Sequence, residues 1–269
     1  MKRFKKTIRL SENQVIPKKF FGQHFLKDHC LAEKIVNCLS NHPCCDRIVE
    51  IGPGMGILSQ YLEKKFGSKL LLIELDYESV RYIQKKFPNL KESIIHEDFL
   101  KVPLFSNPNE QIALIGNIPY NVSSQILFKL FEHKNQIKEA VFMVQKEVAL
   151  RLTSSAGNKS YGLLSVLLQT YYDIEYMFTV NEDVFYPRPK VKSAVVKISR
   201  NTNQGLPFSD EHYKKIVKQA FSMRRKTLRN ALKPLNLSLE KIEPSILEKR
   251  AEQLTVDDFI VLAQNFLTL

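Results

Sequence analysis

Apolar residues recur along the first 150 positions in two alternating rhythms. Residues 32–39, 57–66, 77–87, 124–133 and 146–152 place them three and four apart, the spacing of a helix with one buried face. Residues 47–51, 69–75, 93–96, 111–115 and 139–144 are short, nearly continuous apolar runs, such as KLLLIEL at 69–75. A strand that is apolar on both sides belongs in a sheet covered on both faces, and strands separated by helices pair in parallel. The pattern predicts an α/β domain with a mainly parallel, doubly wound sheet, whose ligands sit beyond the carboxyl ends of the strands. After a polar, turn-rich stretch at 201–207, residues 211–232, 239–249 and 256–266 show helical spacing without strands. They predict a small all-helical domain at 208–269, behind a larger domain at 19–200 and a basic arm at 1–18.

Composition narrows the setting. With 269 residues, 44% of them hydrophobic and 25% charged, the chain has the profile of a soluble protein with a sizeable core. No apolar stretch approaches the ~20 residues of a membrane helix, and MKRFKKTIRLSENQ has no apolar run behind its charges, so no signal peptide is expected. Cys30, Cys38, Cys44 and Cys45 show no C-x-x-C spacing, which favours reduced thiols in a cytoplasmic protein over a zinc site. The net charge of +12 favours a polyanionic partner. The charge is also clustered. Lys2, Arg3, Lys5, Lys6 and Arg9 make the basic arm, and Lys214, Lys215, Lys218, Arg224, Arg225, Lys226, Arg229 and Lys233 crowd a segment with no acid between His212 and Glu240. Two such clusters predict a surface that grips a phosphate backbone from more than one side.

Candidate chemistry gathers at the strand ends. The strand at 47–51 runs into Gly52-Pro53-Gly54-Met55-Gly56, where glycines permit a tight turn and close approach of a ligand. A dinucleotide fingerprint needs its third glycine at position 57, which is Ile57, and Pro53 removes an N–H that a pyrophosphate cradle would use. The order E-x-G-x-G-x-G instead resembles the first motif of S-adenosylmethionine-dependent methyltransferases. Glu74 ends the next strand, placed to accept hydrogen bonds from ribose hydroxyls, and Asp98 follows the third, placed to accept an adenine amine. Each alone is better read as a solvated strand end or a helix cap; three in register favour a cofactor.

After the fourth strand comes GNIPYN, residues 116–121. An aryl amine is a poor nucleophile because its lone pair is delocalised into the ring. The Asn117 side-chain carbonyl and the Ile118 backbone carbonyl can accept its two hydrogens and turn the lone pair outward, while Pro119 fixes the turn and Tyr120 offers a face for the base. Positioning toward an electrophilic sulfonium then does most of the work, with no metal and no strong base. This is the N-x-P-Y form of the motif found in methyltransferases of amino groups on adenine, cytosine or glutamine.

Longer stretches resemble one family, the ribosomal RNA adenine N6,N6-dimethyltransferases. KFFGQHFL at 19–26 is similar to its K-x-x-G-Q-N-F-L opening, QKEVALRL at 145–152 to Q-K-E-V-A-x-R-L, and YGLLSV at 161–166 to Y-G-x-L-S-V. VFYPRPKVKSAVV at 184–196 is similar to x-F-x-P-x-P-K-V-x-S-A-V-V, and AFSMRRKTLRN at 220–230 to A-F-x-x-R-R-K-T-L-R-N. The resemblance runs from about residue 18 to the end. It implies a Rossmann-like S-adenosylmethionine-dependent domain with a small C-terminal helical domain, a cytoplasmic monomer that dimethylates two adjacent adenines in a small-subunit ribosomal RNA hairpin within an immature 30S-type particle. By position it implies a cofactor-contacting set of His24, Leu26, Gly52, Glu74, Asp98 and Asn117. The implied amine-handling set is Asn117, Pro119 and Tyr120, with Phe185 closing the other side of the base. Arg224, Arg225, Lys226 and Arg229 are the expected RNA contacts on a basic helix, with Phe221 in the core. His24 departs from the family's usual asparagine, and a histidine contact to the cofactor's carboxylate would be pH-sensitive.

The nearest rival is the large-subunit adenine methyltransferase family that confers macrolide resistance. It shares both motifs, but the matches at 184–196 and 220–230 favour the small-subunit enzymes. DNA adenine methyltransferases usually carry D-P-P-Y and a separate recognition region, and neither is found here. A non-catalytic assembly factor would not need Asn117 and Tyr120.

Overall fold

The structure is a computed structural model that describes residues 15–40, 45–103, 107–202, 206–235, 239–240 and 242–266. The cationic residues at 2–9 of the expected basic arm, and Cys44, lie outside them.

The elements follow the hydrophobic rhythm closely as far as residue 152. In chain order they are β1 (Phe25–Leu26), α1 (His29–Cys38), β2 (Arg47–Ile51), α2 (Ser59–Phe66), β3 (Leu70–Glu74), α3 (Tyr77–Lys86), β4 (Ile94–His96), β5 (Ile112–Asn117), α4 (Ser123–Glu132), β6 (Ile137–Gln145) and α5 (Lys146–Leu152). The pattern assigned no element between 153 and 200, where the structure has α6 (Leu163–Gln169), β7 (Tyr172–Val180), β8 (Phe185–Tyr186) and β9 (Ser193–Arg200). The helical remainder is α7 (Asp210–Ser222), α8 (Leu228–Leu232), α9 (Pro244–Leu247) and α10 (Val256–Asn265).

Seven strands form one sheet in the order β4-β3-β2-β5-β6-β9-β7. Neighbours from β4 to β6 pair in parallel; β9 lies antiparallel between β6 and β7. The order reverses at β2, so the crevice beyond the ends of β2 and β5 is the switch point at which such sheets bind ligands. Successive strand residues face opposite sides and both sides are apolar, as the continuous runs require. Ile48, Leu70, Leu72, Ala113, Ile115, Val141 and Met143 face α1, α2 and α3, whereas Val49, Ile51, Leu71, Ile73, Leu114, Phe142 and Val144 face α4 and α6. In β7 the residues between Tyr172 and Val180 alternate between exposed and half-buried, which is how an edge strand reads.

The C-terminal helices are shorter than their pattern. The helix expected at 211–232 is broken at 223–227, between α7 and α8, and the one expected at 239–249 is reduced to α9. Nor do they have a core of their own: Phe208, Tyr213, Ile216, Val217, Leu262 and Phe266 belong to the same apolar cluster as Leu114 and Phe142. The N-terminus of α7 is clasped to the sheet domain as well. Asp210 pairs with Lys134 and accepts the Tyr171 hydroxyl at 3.0 Å. The boundary near 200 marks a change of secondary structure rather than a break in packing.

Candidate active site

A cleft of about 310 Å³ opens over the ends of β2, β3 and β5, within the roughly 300–1,000 Å³ of small-molecule sites. Its lining brings together His24, Leu26, Gly52, Glu74, Asp98, Asn117, Pro119 and Tyr120, residues spread over almost a hundred positions.

One end is built by the glycine turn. Gly52, Gly54 and Gly56 have φ of 64°, 57° and 73°, in the left-handed region that glycine enters without strain. A Cβ on Gly54 would stand 2.9 Å from the Phe25 ring, while one on Gly52 would enter open space. A side chain there would occupy room a ligand could use. The turn presents its Gly54 N–H to Glu74 Oε2 at 2.9 Å, and the Asp76 N–H reaches Glu74 Oε1 at 2.8 Å. Burial pushes the Glu74 carboxyl up, and those two N–H bonds oppose the shift. A carboxylate offers about four acceptor positions, so these bonds leave it capacity for a diol. Behind the turn, Glu50 accepts the Ser59 hydroxyl at 2.6 Å, and burial pushes its carboxyl up to about 8. At neutral pH Glu50 is therefore largely uncharged. Asp98 holds the following turn through the Leu100 N–H at 3.0 Å, and Leu75, Phe99 and Leu100 line this end of the cleft. A diol acceptor, an amine acceptor between apolar walls and an open glycine cradle together fit S-adenosylmethionine.

The other end is GNIPYN. Gly116 is needed for close approach: a Cβ would stand 2.6 Å from the Ile51 carbonyl oxygen. Ile118 buries its side chain to 1% exposure and donates its N–H to the Met143 carbonyl at 3.0 Å, anchoring the loop to β6. The Ser123 hydroxyl donates to the Tyr120 carbonyl at 3.1 Å where α4 begins. Asn117 Nδ2 donates to the His24 carbonyl at 2.8 Å. That bond commits the amide's donor side and leaves Oδ1 as the acceptor. The Tyr120 hydroxyl pairs with Ser193 Oγ at 2.7 Å, and burial raises its pKa, so it stays protonated. His24 Nδ1 lies 2.6 Å from the Pro187 carbonyl, which only accepts, so Nδ1 carries the proton. In the neutral ring Nε2 is then an acceptor, and a bond from it to a carboxylate requires the imidazolium.

Phe185 is not brought to the cleft. It pairs with Leu26 in the small antiparallel sheet of β1 and β8, is 2% exposed and packs with Leu26, Met143 and Val195 in the core. The ring lies behind β1 and outside the cleft lining, away from the position expected for closure over the base. Gln23, to which no role was assigned from the sequence, lines the cleft and donates to Asp76 behind it at 3.1 Å. The Asp76-x-x-Ser79 pattern ahead of α3 was the available signal, although it announces only a cap.

The sequence model of the family described as ribosomal RNA adenine dimethylase matches residues 16–265. The chain belongs to the ribosomal RNA adenine dimethylase family. Among curated relatives, the ribosomal RNA small subunit methyltransferase A of Flavobacterium johnsoniae is 51% identical over 253 residues, covering 93% of this chain and 96% of that one. The protein of the same name from Cytophaga hutchinsonii is 49% identical over 249 residues, with the same shares. Among solved structures, a dimethyladenosine transferase from Plasmodium falciparum superposes with a TM-score of 0.74 at 26% identity, covering 90% of this chain and 98% of that one. The 23S rRNA methyltransferase ErmE shares the fold, with a TM-score of 0.68 at 20% identity over 90% of this chain and 99% of that one.

In this family member the four expected RNA contacts are not equivalent. They sit on the elbow at 223–227 and the first turn of α8, not on one basic helix. Arg224 is paired with Glu252 at 2.6 Å and donates to the Lys159 and Tyr161 carbonyls; Arg229 is paired with Glu248 at 3.1 Å. Arg225 and Lys226 are exposed, with no acidic partner among the described residues. Phe221 stacks on Phe259 with centroids 5.8 Å apart and packs, partly buried, against the core.

Proposed function

We propose that this dimethylase transfers methyl groups from S-adenosylmethionine to the N6 amines of two adjacent adenines in a small-subunit ribosomal RNA hairpin, giving N6,N6-dimethyladenine as the subunit matures. Family membership and the curated relatives support the reaction class. The observation that carries the chemistry is the Asn117 amide, whose donor side is taken by the His24 carbonyl so that Oδ1 is held as an acceptor.

S-adenosylmethionine, when bound, supplies an electrophilic methyl group. Glu74 would hold its ribose and Asp98 its adenine amine, with Gly52 leaving room beside them. Asn117 Oδ1 and the Ile118 carbonyl accept the hydrogens of the target amine and hold its lone pair toward the methyl group. Tyr120 provides the face on which the flipped base rests. Its hydroxyl, kept protonated and tied to Ser193, fixes the ring and is not a base. The proton released after transfer leaves to water. Arg225 and Lys226, with the exposed Lys215 and Lys218 along α7, meet RNA phosphates and present the hairpin to the cleft.

Mapping N6,N6-dimethyladenine in ribosomal RNA with and without the gene tests this reading. Loss of two adjacent modified adenines in the small-subunit RNA is expected; an unchanged small-subunit pattern would refute it.

A further inference from the structure

One wall of the cleft is the segment 20–26, which precedes the seven-stranded sheet in the chain. It is fastened at two ends. Toward the amine side, the His24 carbonyl takes the Asn117 amide, and Gly22, at φ 65°, packs so closely that a Cβ would lie 2.7 Å from Asn121 Oδ1. Toward the ribose side, the fastening is Asp76.

Asp76 is 1% exposed and receives four donors. Two are those of a helix cap, the Glu78 N–H at 3.2 Å and the Ser79 hydroxyl at 3.2 Å. The other two come from more than fifty residues earlier: Lys18 Nζ at 2.6 Å and Gln23 Nε2 at 3.1 Å. Gln23 is itself set, because its Oε1 accepts the Lys18 N–H at 2.8 Å. The Asp76 N–H meanwhile donates to Glu74 Oε1 at 2.8 Å. One residue thus holds the segment and the ribose-binding carboxylate together. Burial by itself would push the Asp76 carboxyl up, yet the bonds from Lys18, Gln23 and Glu78 outweigh it and hold the group below the usual range. A cap alone needs no such charge, since asparagine or serine caps a helix as well.

We propose that Asp76, Lys18 and Gln23 form a latch that seats segment 18–24 across the bound cofactor while fixing the orientation of Glu74. They are positioning residues for cofactor retention. The inference rests on the S-adenosylmethionine reading of the cleft. Because the latch joins parts of the cleft that touch the cofactor from opposite sides, cofactor binding and closure of the segment are coupled.

The test is calorimetric titration of the full chain with S-adenosylmethionine, beside hydrogen exchange of segment 18–26 in the free protein. Asp76→Asn keeps the cap and the shape but removes the charge. It should weaken binding about tenfold, the scale of a lost charge-assisted hydrogen bond, and raise exchange in this segment with little change in melting temperature. Lys18→Met should do the same, Lys18→Arg should restore affinity, and Lys18→Met with Asp76→Asn should be no worse than Asp76→Asn alone. Lys18 is partly exposed, so its variants keep the test open if Asp76→Asn does not fold. Wild-type affinity in both Lys18→Met and Asp76→Asn, or additive losses in the double variant, would overturn the latch while leaving the cofactor reading intact. Failure of the wild-type chain to bind S-adenosylmethionine would overturn the cofactor reading and the latch with it.

Discussion

Replacing Asn117 separates the two jobs of its amide. Asn117→Ala removes the Oδ1 acceptor at the reacting amine and the Nδ2 donor to the His24 carbonyl. Loss of one preorganised polar contact at a reacting centre lowers the rate about 10²–10³-fold. Read from sequence alone, Asn117→Asp keeps an acceptor and should outperform alanine. The structure reverses that order. A carboxylate oxygen in place of Nδ2 would face the His24 carbonyl oxygen at the present 2.8 Å separation with no hydrogen between them. Both variants leave that part-buried carbonyl unpaired, but aspartate in addition sets a charged oxygen against it without a donor, a further cost of about 1–3 kcal/mol. At 1.36 kcal/mol per decade this is roughly 5- to 160-fold, enough to offset what the retained acceptor gains. Asn117→Asp is therefore expected to be no faster than Asn117→Ala. The assay is single-turnover methyl transfer to small subunits that lack the modification, at saturating cofactor. An aspartate variant clearly faster than the alanine variant would refute the role given to the His24 carbonyl. Near-normal transfer by Asn117→Ala would refute the role of the amide altogether.

The remaining expectations concern packing, pH and RNA. Gly116→Ala forces a Cβ to within 2.6 Å of the Ile51 carbonyl oxygen. Overpacking of this kind costs about 1–3 kcal/mol, so the melting temperature should fall by roughly 2–12 °C; an unchanged melt would show that β5 shifts freely. Glu50 ionises near 4.5 in the unfolded chain and is pushed up to about 8 in the folded one. Between those values the folded state holds a proton that the unfolded state has lost, so Glu50 makes stability fall as pH rises across the window. Glu50→Gln should flatten that slope in denaturant titrations of the cofactor-free protein, and an unaltered slope would contradict it. Reversing Arg225 and Lys226 to glutamate should reduce the log–log salt slope of RNA binding by roughly 1.4–1.8 and spare cofactor affinity. Arg224→Glu should instead lower stability by setting its charge against Glu252. RNA affinity unchanged in the Arg225 and Lys226 double variant would move the docking surface elsewhere.

Local spacing along the chain was enough to reveal the features that neighbouring residues create together. Helical and strand spacing up to residue 152, the glycine turn, Glu74 and Asp98 at strand ends and the N-x-P-Y loop all depend on local period and turn chemistry. Strand length and apolar character, not partner choice, therefore sufficed to place them at one edge of a sheet. Past residue 152 the signal weakened, because an edge strand such as β7 alternates only partly and the elbow at 223–227 interrupts an otherwise helical run. Tertiary structure alone decided how each side chain is used. Asn117 is oriented by a carbonyl 93 residues away, and Asp76 is tied to Lys18 and Gln23 behind the cleft. Phe185 is turned into the core by pairing with Leu26, and Arg224 is held by Glu252 while Arg225 is left exposed. Hydrogen bonds and ion pairs act over a few ångströms, and which groups come that close is set by how the sheet and helices pack, not by their order along the chain.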